Sequence, residues 1–320
     1  MKIAVIGAGI SGLSSAWQLS RAGHEVTLYE AGDYFGGHTN TVDIELEGQR
    51  FGVDTGFLVF NHRTYPNLVR LFSELKVHTS ASDMSFAVKM PIRAGRGTRM
   101  LEWAGANLDT VFAQRRNLVD ARFLRMLKDI LRFNRETTQM AQVPGAMEEI
   151  PLGDFLDQRG YSDEFRDWYL LPMAGCIWSC PTAQMLAFPL ATFVRFCHNH
   201  GLIQVNDRPQ WHTVTGGARN YVQKMLAAIA HKHVSTPVSG VTRIDTGARQ
   251  QVRVESRLGR ELVDHVVLAT HSDQTLKLLQ DASAAEHKLL SAVAYQPNHA
   301  VLHTDARCLP ERRKAWSAWN

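Results

Sequence analysis

The feature that most constrains the fold is a glycine-rich turn between a short apolar strand and a helix, close to the N-terminus. Lys2–Ile6 is an apolar run with β-branched residues, which is typical of a buried parallel strand. The turn at residues 7–12 has the sequence G-A-G-I-S-G, and Gly23 ends the helix that follows it. Glu25–Tyr29 is the next strand, with Glu30 at its tip. This order predicts a β-α-β unit of a parallel sheet.

The spacing G-x-G-x-x-G in this context predicts a dinucleotide site. Gly7 permits the tight turn, Gly9 lets the backbone approach a pyrophosphate, and Gly12 lets the helix pack closely against the strand. The helix N-terminus offers N–H groups and the positive end of its dipole to the phosphates. Glu30 can accept hydrogen bonds from ribose hydroxyls, and its charge disfavours the 2′-phosphate of NADP.

Chain length and composition indicate a globular protein of about two domains. The 320 residues exceed the usual size of one domain. Hydrophobic residues make up 45% and charged residues 21%, values that exclude a largely disordered chain. The net charge of +4 is too small to indicate a nucleic-acid partner. Four cysteines are too few for a disulfide scaffold and favour a reducing compartment, the cytoplasm.

Two short segments contain residues that can bind metals, but neither has the spacing of a metal site. Cys176 and Cys180 form one group, and the C-H-N-H run at 197–200 forms the other. Each group lacks a second, spaced pair of ligands. We therefore expect buried thiols and ordinary histidines here, and no metal.

The stretch 168–194 contains no charged residue. Its prolines and polar residues argue against a membrane span, so we expect it to line a buried cavity. Six aromatic residues in or near this stretch predict either an apolar substrate chamber or an ordinary aromatic core: Trp168, Trp178, Phe188, Phe193, Phe196 and Trp211.

Strand and helix signals alternate in blocks along the rest of the chain. The predicted elements are short strands in 41–60, a helix over 66–75, helices through most of 100–200, strands in 234–269, a helix over 276–290 and a strand over 300–303. The order of these blocks predicts a discontinuous nucleotide-binding domain that is interrupted by a second, helical domain.

Several motifs resemble those of flavin-containing amine oxidases and phytoene desaturases. The glycine turn and Glu30 are followed by Gly36-Gly37-His38-Thr39, which together resemble the extended flavin motif of the glutathione-reductase-like group. Residues 53–57, V-D-T-G-F, are similar to the family's D-x-G turn beside the flavin ring. Segments 211–217, 236–238 and 264–270 resemble the later glycine pair, the adenine-contacting strand and the strand before the return loop. The chain most resembles a bacterial subgroup labelled NAD/FAD-binding oxidoreductase.

The resemblance implies an α/β fold with a Rossmann-like FAD-binding domain, glutathione-reductase-like, and a discontinuous, largely helical substrate domain. Residues 1–85 and 212–290 would form the FAD-binding domain, and 86–211 with 291–320 the substrate domain. The implied FAD contacts are Gly7, Gly9, Ile10, Ser11, Gly12, Glu30, Ala31, Gly37, His38, Thr39, Gly56, Phe57 and Val238. His38, His62 and Tyr65 lie near the motifs, but no catalytic side chain is assigned.

The resemblance also implies an FAD-dependent oxidoreductase that transfers a hydride from an apolar or amine-bearing small molecule to flavin N5. Two alternatives stay open, a lipid-directed flavin desaturase or isomerase and a non-catalytic dinucleotide-binding fragment. Proteins of this kind continue to a second FAD motif beyond the point that corresponds to Asn320. We therefore expect a truncated chain with an incomplete substrate domain, which binds adenine nucleotides weakly without turnover.

Segment 111–135 is predicted to form an amphipathic helix. At about 100° per residue, one side would carry Val119, Phe123, Leu124, Leu127, Ile130 and Leu131. The other side would carry Arg115, Arg122, Arg125, Lys128, Arg132 and Arg135. This pattern fits either a surface helix with a solvated basic face or a peripheral contact with anionic lipid.

Overall fold

The computed structural model describes residues 1–143, 149–179, 181–204, 208–245, 247 and 250–320. The chain divides into two compact units. Unit 1 comprises residues 1–59, 66–80 and 213–297, and unit 2 comprises residues 60–65, 81–212 and 298–320. The assignment of an FAD-binding and a substrate domain to the predicted ranges stays a prediction.

The helices and strands have the following bounds. The strands are β1 Lys2–Ile6, β2 Glu25–Tyr29, β3 Thr41–Leu46, β4 Gln49–Asp54, β5 Phe60–Asn61, β6 Thr79–Ser82, β7 Ala87–Ala94, β8 Gly97–Ala104, β9 Trp211–Val214, β10 His231–His233, β11 Val238–Asp245, β12 Gln250–Ser256, β13 Gly259–Val263 and β14 His265–Leu268. The helices are α1 Ile10–Arg21, α2 Pro66–Glu74, α3 Leu108–Val111, α4 Ala121–Gln142, α5 Leu152–Gln158, α6 Asp163–Phe165, α7 Leu171–Trp178, α8 Thr182–Leu186, α9 Leu190–Asn199, α10 Arg219–Leu226, α11 Ser272–Leu278 and α12 Ala284–Leu290.

Unit 1 is built on a four-stranded parallel sheet with the order β10-β2-β1-β14. Strands β1 and β2 are buried along nearly their whole length, as expected for parallel strands that are covered on both faces. Helix α1 buries Leu13, Ala16 and Trp17 and contacts β2. The predicted β-α-β unit and the α/β class with a Rossmann-like sheet are confirmed.

A second, antiparallel sheet of unit 1 consists of β11, β12 and β13. Its buried residues Val241, Val254 and Val263 belong to one apolar cluster with Ala4 and Ile6 of β1. This packing fixes the start of β11, at Val238, relative to the parallel sheet.

Unit 2 is largely helical around one apolar core, to which the β7–β8 hairpin also contributes. Phe133 of α4 lies at the centre, with ring centroids 5.3 Å from Phe165, 6.3 Å from Phe155 and 6.3 Å from Phe193. Among the described residues, no helix combines the length and the apolar character that crossing a bilayer requires.

Three predicted elements differ from the structure. The predicted helix 276–290 is two helices, because Ser283 caps α12 in a reciprocal pair with Glu286 and interrupts the run after α11. Residues 300–303 form no strand: Val301 and Leu302 are exposed, and no described strand pairs with them.

The predicted helix 111–135 also begins later than expected. Asp120 accepts hydrogen bonds from the N–H groups of Arg122 and Phe123, so α4 starts at Ala121. The predicted apolar side was partly wrong, since Val119 is 85%, Leu131 58% and Leu124 42% exposed. The helix instead buries a face that includes Phe123, Met126, Asp129, Phe133, Asn134 and Thr137.

Candidate functional site

The glycine-rich turn in unit 1 holds the end of β1 against the start of α1. Gly7 has φ +97°, a left-handed conformation that glycine adopts without strain. A Cβ on Gly12 would overlap the Gly7 carbonyl oxygen, so the close approach of helix and strand requires glycine there. Gly9, the residue before α1, has extended backbone angles and open space where a Cβ would point. The first turn of α1 carries no acidic side chain, which leaves its N–H groups and dipole available to an anion.

Glu30 lies directly beside this turn. Its carboxylate accepts hydrogen bonds from the N–H groups of Ala8 and Gly32, each at 2.7 Å. A carboxylate has about four lone-pair positions, so two backbone donors leave capacity for further donors such as ribose hydroxyls. Glu30 is partly exposed, which keeps that capacity accessible.

The segments 36–39 and 56–57 adjoin the glycine turn. The N–H of Gly36 donates to the Ala8 carbonyl at 2.8 Å, and the N–H of Phe57 donates to the His38 carbonyl at 3.3 Å. Gly56 packs so closely on the His38 backbone that a Cβ would overlap it. The D-x-G turn is thereby held next to His38, and the segment 36–39 next to the glycine turn.

The segment before β11 is hydrogen-bonded to the backbone around Glu30. The N–H of Thr236 donates to the Glu30 carbonyl and the N–H of Ser235 to the Gly32 carbonyl, both at 2.7 Å. Val238, the first residue of β11, pairs with Ser256, and a bulge follows it. This arrangement places the start of β11 close to the tip of β2.

The structure thus brings every residue of the predicted FAD site together in unit 1. Ile10, Ser11, Ala31, His38 and Gly56 are exposed, and their surfaces are open to a ligand. Thr39 is 4% and Val238 8% exposed, so a ligand would meet the backbone of these residues rather than their side chains. Their contacts with FAD stay a prediction.

Two neighbours of this site were missed from the sequence. The rings of His38 and His271 are nearly parallel, with centroids 6.5 Å apart. The ring of His271 stacks on that of Tyr295, with centroids 4.3 Å apart. No local sequence signal links these three residues. Their stacking depends on the return of the chain after β14, which the sequence pattern does not specify.

Asp54, the acid of the D-x-G turn, has a structural role. Its carboxylate accepts hydrogen bonds from the Thr41 hydroxyl at 2.6 Å and from the Ala218 N–H at 2.9 Å. The N–H of Arg219 in turn donates to the Thr41 hydroxyl at 3.0 Å. Asp54 therefore stabilises the N-terminus of α10, where an acid is favoured by the helix dipole.

Unit 2 contains a cavity of about 420 Å³, within the usual size range of small-molecule sites. The described residues that line it include five large aromatic side chains: Phe86, Trp103, Tyr169, Trp211 and Trp319. The charged side chains among those residues are Asp83 and Arg208. The Asp83 carboxylate accepts a hydrogen bond from the Ser85 hydroxyl at 2.5 Å.

Only Trp211 of the six predicted aromatic residues lines this cavity. Trp168 and Phe193 are buried in the core, and Trp178, Phe188 and Phe196 pack against it. For these five, the alternative of an ordinary aromatic core is correct. Stretch 168–194 contributes Tyr169, Met173, Cys176 and Ile177 to the cavity, so the expectation of a cavity lining holds for part of it.

The histidines and tyrosine near the motifs lie in two places. His38 belongs to unit 1, whereas His62 lies in unit 2, 4.6 Å from the ring of His212. Tyr65, also in unit 2, forms a hydrogen bond with His200 Nε2 at 3.3 Å. Burial raises the pKa of the Tyr65 hydroxyl. The other ring nitrogen of His200, Nδ1, donates to the Phe196 carbonyl at 2.9 Å.

The described cysteines are thiols in unit 2. Burial raises the pKa of Cys197 to about 12 and also raises that of Cys176, which disfavours the thiolate that binds metals. Cys180 lies outside the described residues. In the part of the chain that the structure describes, no group of three metal-binding side chains is present.

The chain matches, over residues 10–314, the family described as flavin containing amine oxidoreductase. An L-amino-acid oxidase of Pseudechis australis is 39% identical over 71 residues, which cover 22% of this chain and 14% of that protein. A carotenoid phi-ring synthase of Chlorobaculum tepidum is 41% identical over 83 residues, which cover 26% of this chain and 12% of that protein.

The fold is similar to that of wild-type putrescine oxidase bound to putrescine. The TM-score is 0.65 at 18% identity, and the match covers 91% of this chain and 63% of that chain. The chain therefore spans less than two thirds of the length of the proteins to which it is similar.

Proposed function

The chain belongs to the flavin-containing amine oxidoreductase family, its cofactor is FAD, and on that basis we propose that it is an oxidoreductase whose FAD is held by unit 1. The observation that carries this proposal is the open space at Gly9 beside the Glu30 carboxylate. A pyrophosphate could approach the backbone at Gly9, within reach of the α1 N-terminus. A pyrophosphate in that position would leave the Glu30 carboxylate available to accept hydrogen bonds from the ribose hydroxyls.

FAD, when bound, supplies a flavin ring that accepts a hydride. The residues of this chain would bind, orient and shield the reactants. The N–H groups at the start of α1 would hold the pyrophosphate, and the backbone near Val238 would contact the adenine. His38 and Phe57, which adjoin through the 3.3 Å bond between their backbones, would lie further along the cofactor.

We propose that the aromatic cavity of unit 2 receives the substrate, an apolar or amine-bearing small molecule. Its aromatic walls favour an apolar body or a cationic amine. Asp83 offers a carboxylate that could pair with an ammonium group. Asp83 is exposed, so solvent would screen this pairing.

The cofactor proposal is tested by purifying the full-length protein with FAD and recording its visible spectrum. We expect a yellow protein with non-covalent flavin, since the sequence contains no recognisable cysteine motif for covalent flavin attachment. Denaturation and precipitation should release the flavin into solution. Flavin that stays with the precipitated protein would contradict non-covalent binding, and a folded protein that takes up no flavin would contradict the site.

The substrate proposal is tested by anaerobic mixing with a panel of alkyl and aryl amines. Bleaching of the flavin by an amine, followed by peroxide formation in air, would support amine oxidation. Asp83→Asn should then raise KM for amines by up to about fivefold, because an exposed ion pair contributes about 0.2–1 kcal/mol, with little change in kcat. Equal KM values for both proteins would exclude Asp83 as the ammonium partner.

A lipid-directed desaturase or isomerase is the second candidate. The partial similarity to a carotenoid phi-ring synthase and the uncharged stretch 168–194 favour it. New double bonds in an acyl or polyene chain, without peroxide from amines, would support this candidate. A non-catalytic dinucleotide-binding protein would bind FAD or ADP and bleach with neither class of substrate.

We further propose that the protein works in the cytoplasm. The described cysteines, Cys176, Cys197 and Cys308, are free thiols, as is common in a reducing compartment. Fractionation of cells that express a tagged full-length protein would test this location.

A further inference from the structure

The outward side of α4 carries leucines and cations in alternation. Leu124, Lys128, Leu131 and Arg135 are spaced by four, three and four residues and are all exposed. That spacing places them in one stripe along the helix, about 16 Å long at 1.5 Å per residue. We name this stripe, together with Arg125 and with Val119, which precedes the helix, the α4 outer face. Leu131 is 58% and Leu124 42% exposed, although the helix also has a buried side.

The opposite side of α4 explains why these leucines face outward. Asp129 is buried there, and its carboxylate accepts hydrogen bonds from the Ser162 N–H at 3.0 Å and hydroxyl at 2.6 Å. Thr137 is buried too, and its hydroxyl donates to the Phe133 carbonyl at 2.7 Å. The bonds from Ser162 hold the Asp129 side of the helix inward, and the Thr137 bond within the helix satisfies a buried hydroxyl on the same side. Leu124 and Leu131 therefore remain outside the core.

The charges around the α4 outer face are mainly positive. Arg93 and Arg96 in the β7–β8 hairpin are exposed, and Arg122 donates to the Arg93 carbonyl at 2.9 Å, which ties the hairpin to the start of α4. The acids near it are engaged: Asp120 pairs with Arg99, Glu136 accepts from Tyr161, Glu164 lies 3.7 Å from Arg125, and Asp109 pairs with Arg115 and Lys314. The described side chains of the α4 outer face include no acid.

We propose that the α4 outer face docks on the surface of a membrane that contains anionic lipid. Exposed leucine and valine side chains can insert at the boundary between headgroups and acyl chains, while lysine and arginine reach the phosphates with their long stems. The positive charge complements an anionic leaflet, as found on the cytoplasmic side of membranes. An acidic protein partner would be expected to select cations but not two regularly spaced leucines. The proposal does not depend on the flavin chemistry of unit 1.

The test measures co-sedimentation of the purified chain with vesicles of phosphatidylcholine alone or mixed equally with phosphatidylglycerol. We expect binding to the anionic vesicles that weakens at high salt, and little binding to the neutral ones. Leu124→Gln with Leu131→Gln should lower the partition coefficient at least tenfold at low salt. Lys128→Glu with Arg135→Glu should lower it similarly and abolish the preference for anionic vesicles.

Matched controls come from α12 in unit 1, where Lys288 and the 70% exposed Leu289 form a similar exposed pair. Lys288→Glu with Leu289→Gln should leave vesicle binding unchanged. Circular dichroism and thermal unfolding must show that all variants are folded. Absence of vesicle binding by the parent chain would overturn the proposal, as would equal binding by the α4 variants. A dimer that the leucine variants abolish, without vesicle binding, would assign the face to a second copy instead.

Discussion

Gly12 packs directly against the carbonyl group of Gly7, with no room for a side chain between helix α1 and the end of β1. The situation is reversed at Gly9, the residue immediately before α1, where the space that a Cβ would occupy is empty. The close contact at Gly12 is required by the fold. The open space at Gly9 is required only by a ligand, so the roles of the two glycines can be separated by experiment.

We expect Gly9→Ala to fold normally but to lose FAD affinity by about tenfold or more, equivalent to about 1.4 kcal/mol. The extended backbone of Gly9 accepts alanine, whereas the added methyl group would occupy the space that the pyrophosphate needs. Gly12→Ala should instead lower the free energy of unfolding by about 1–3 kcal/mol through overpacking. Thermal unfolding and equilibrium titration with FAD and ADP measure the two effects. A Gly9→Ala protein with unchanged affinity would show that the ligand lies elsewhere.

We expect Glu30→Ala to weaken FAD binding by roughly tenfold to a hundredfold, since charge-assisted hydrogen bonds contribute about 1.5–3 kcal/mol each. The same change also removes the acceptor for the Ala8 and Gly32 N–H groups. Glu30→Gln keeps one oxygen as an acceptor and should retain more of the thermal stability than Glu30→Ala. Asp33→Asn, a change of an exposed acid in the same loop, is the matched control and should bind FAD like the parent. Unchanged flavin affinity in folded Glu30→Ala would falsify the assignment of Glu30.

A stability prediction concerns Glu102 of β8, which is fully buried and accepts hydrogen bonds from the Glu311 N–H at 2.8 Å and the Arg312 guanidinium at 2.9 Å. Burial raises its pKa, but these bonds outweigh burial and hold the pKa of Glu102 below its ordinary value of 4.5. Because the folded pKa is lowered, the stabilisation is present above pH 4.5 and is lost as the pH falls through the folded value.

Glu102→Gln should therefore lower the free energy of unfolding by about 1.5–3 kcal/mol near neutral pH and lose less stability than the parent on acidification. Denaturant titrations at neutral and acidic pH measure the difference. Glu311→Gln changes the exposed neighbouring acid while keeping its N–H, and should behave like the parent at both pH values. If the free energy of unfolding fell equally on acidification in the parent and in Glu102→Gln, Glu102 would not be the source of the pH dependence.

The parts of unit 1 that the sequence predicts well are set by local signals. The bounds of β1 and β2 follow from short β-branched runs, and the start of α1 follows from the glycine turn. These signals act within a few residues and need no knowledge of the rest of the chain. The FAD contacts were implied by the family resemblance instead, and they come together although their motifs are far apart in the sequence.

The failures depend on partners that are far away in the sequence. The rotation of α4 is fixed by a contact between Asp129 and Ser162, which are 33 residues apart. The amphipathic pattern alone therefore placed Leu124 and Leu131 on the buried side of the helix, whereas both are exposed. The walls of the cavity combine Trp103 of β8 with Trp319 near the end of the chain. Hydrophobic periodicity identifies the buried faces of helices and strands, but it does not specify which of these faces line a common cavity.

The last prediction concerns the proton position on His200, which lines the aromatic cavity. Its Nδ1 lies 2.9 Å from the Phe196 carbonyl oxygen, which can only accept, so Nδ1 must carry a proton. In the neutral ring Nε2 is then an acceptor, and the Tyr65 hydroxyl at 3.3 Å is its donor. Nitrogen chemical shifts of histidine-labelled protein at high pH should show the Nδ1–H form of His200. Tyr65→Phe should preserve this form and move only the Nε2 resonance, because Phe196 holds Nδ1 independently of Tyr65. A ring with its proton on Nε2 would mean that the bond to Phe196 is absent in solution.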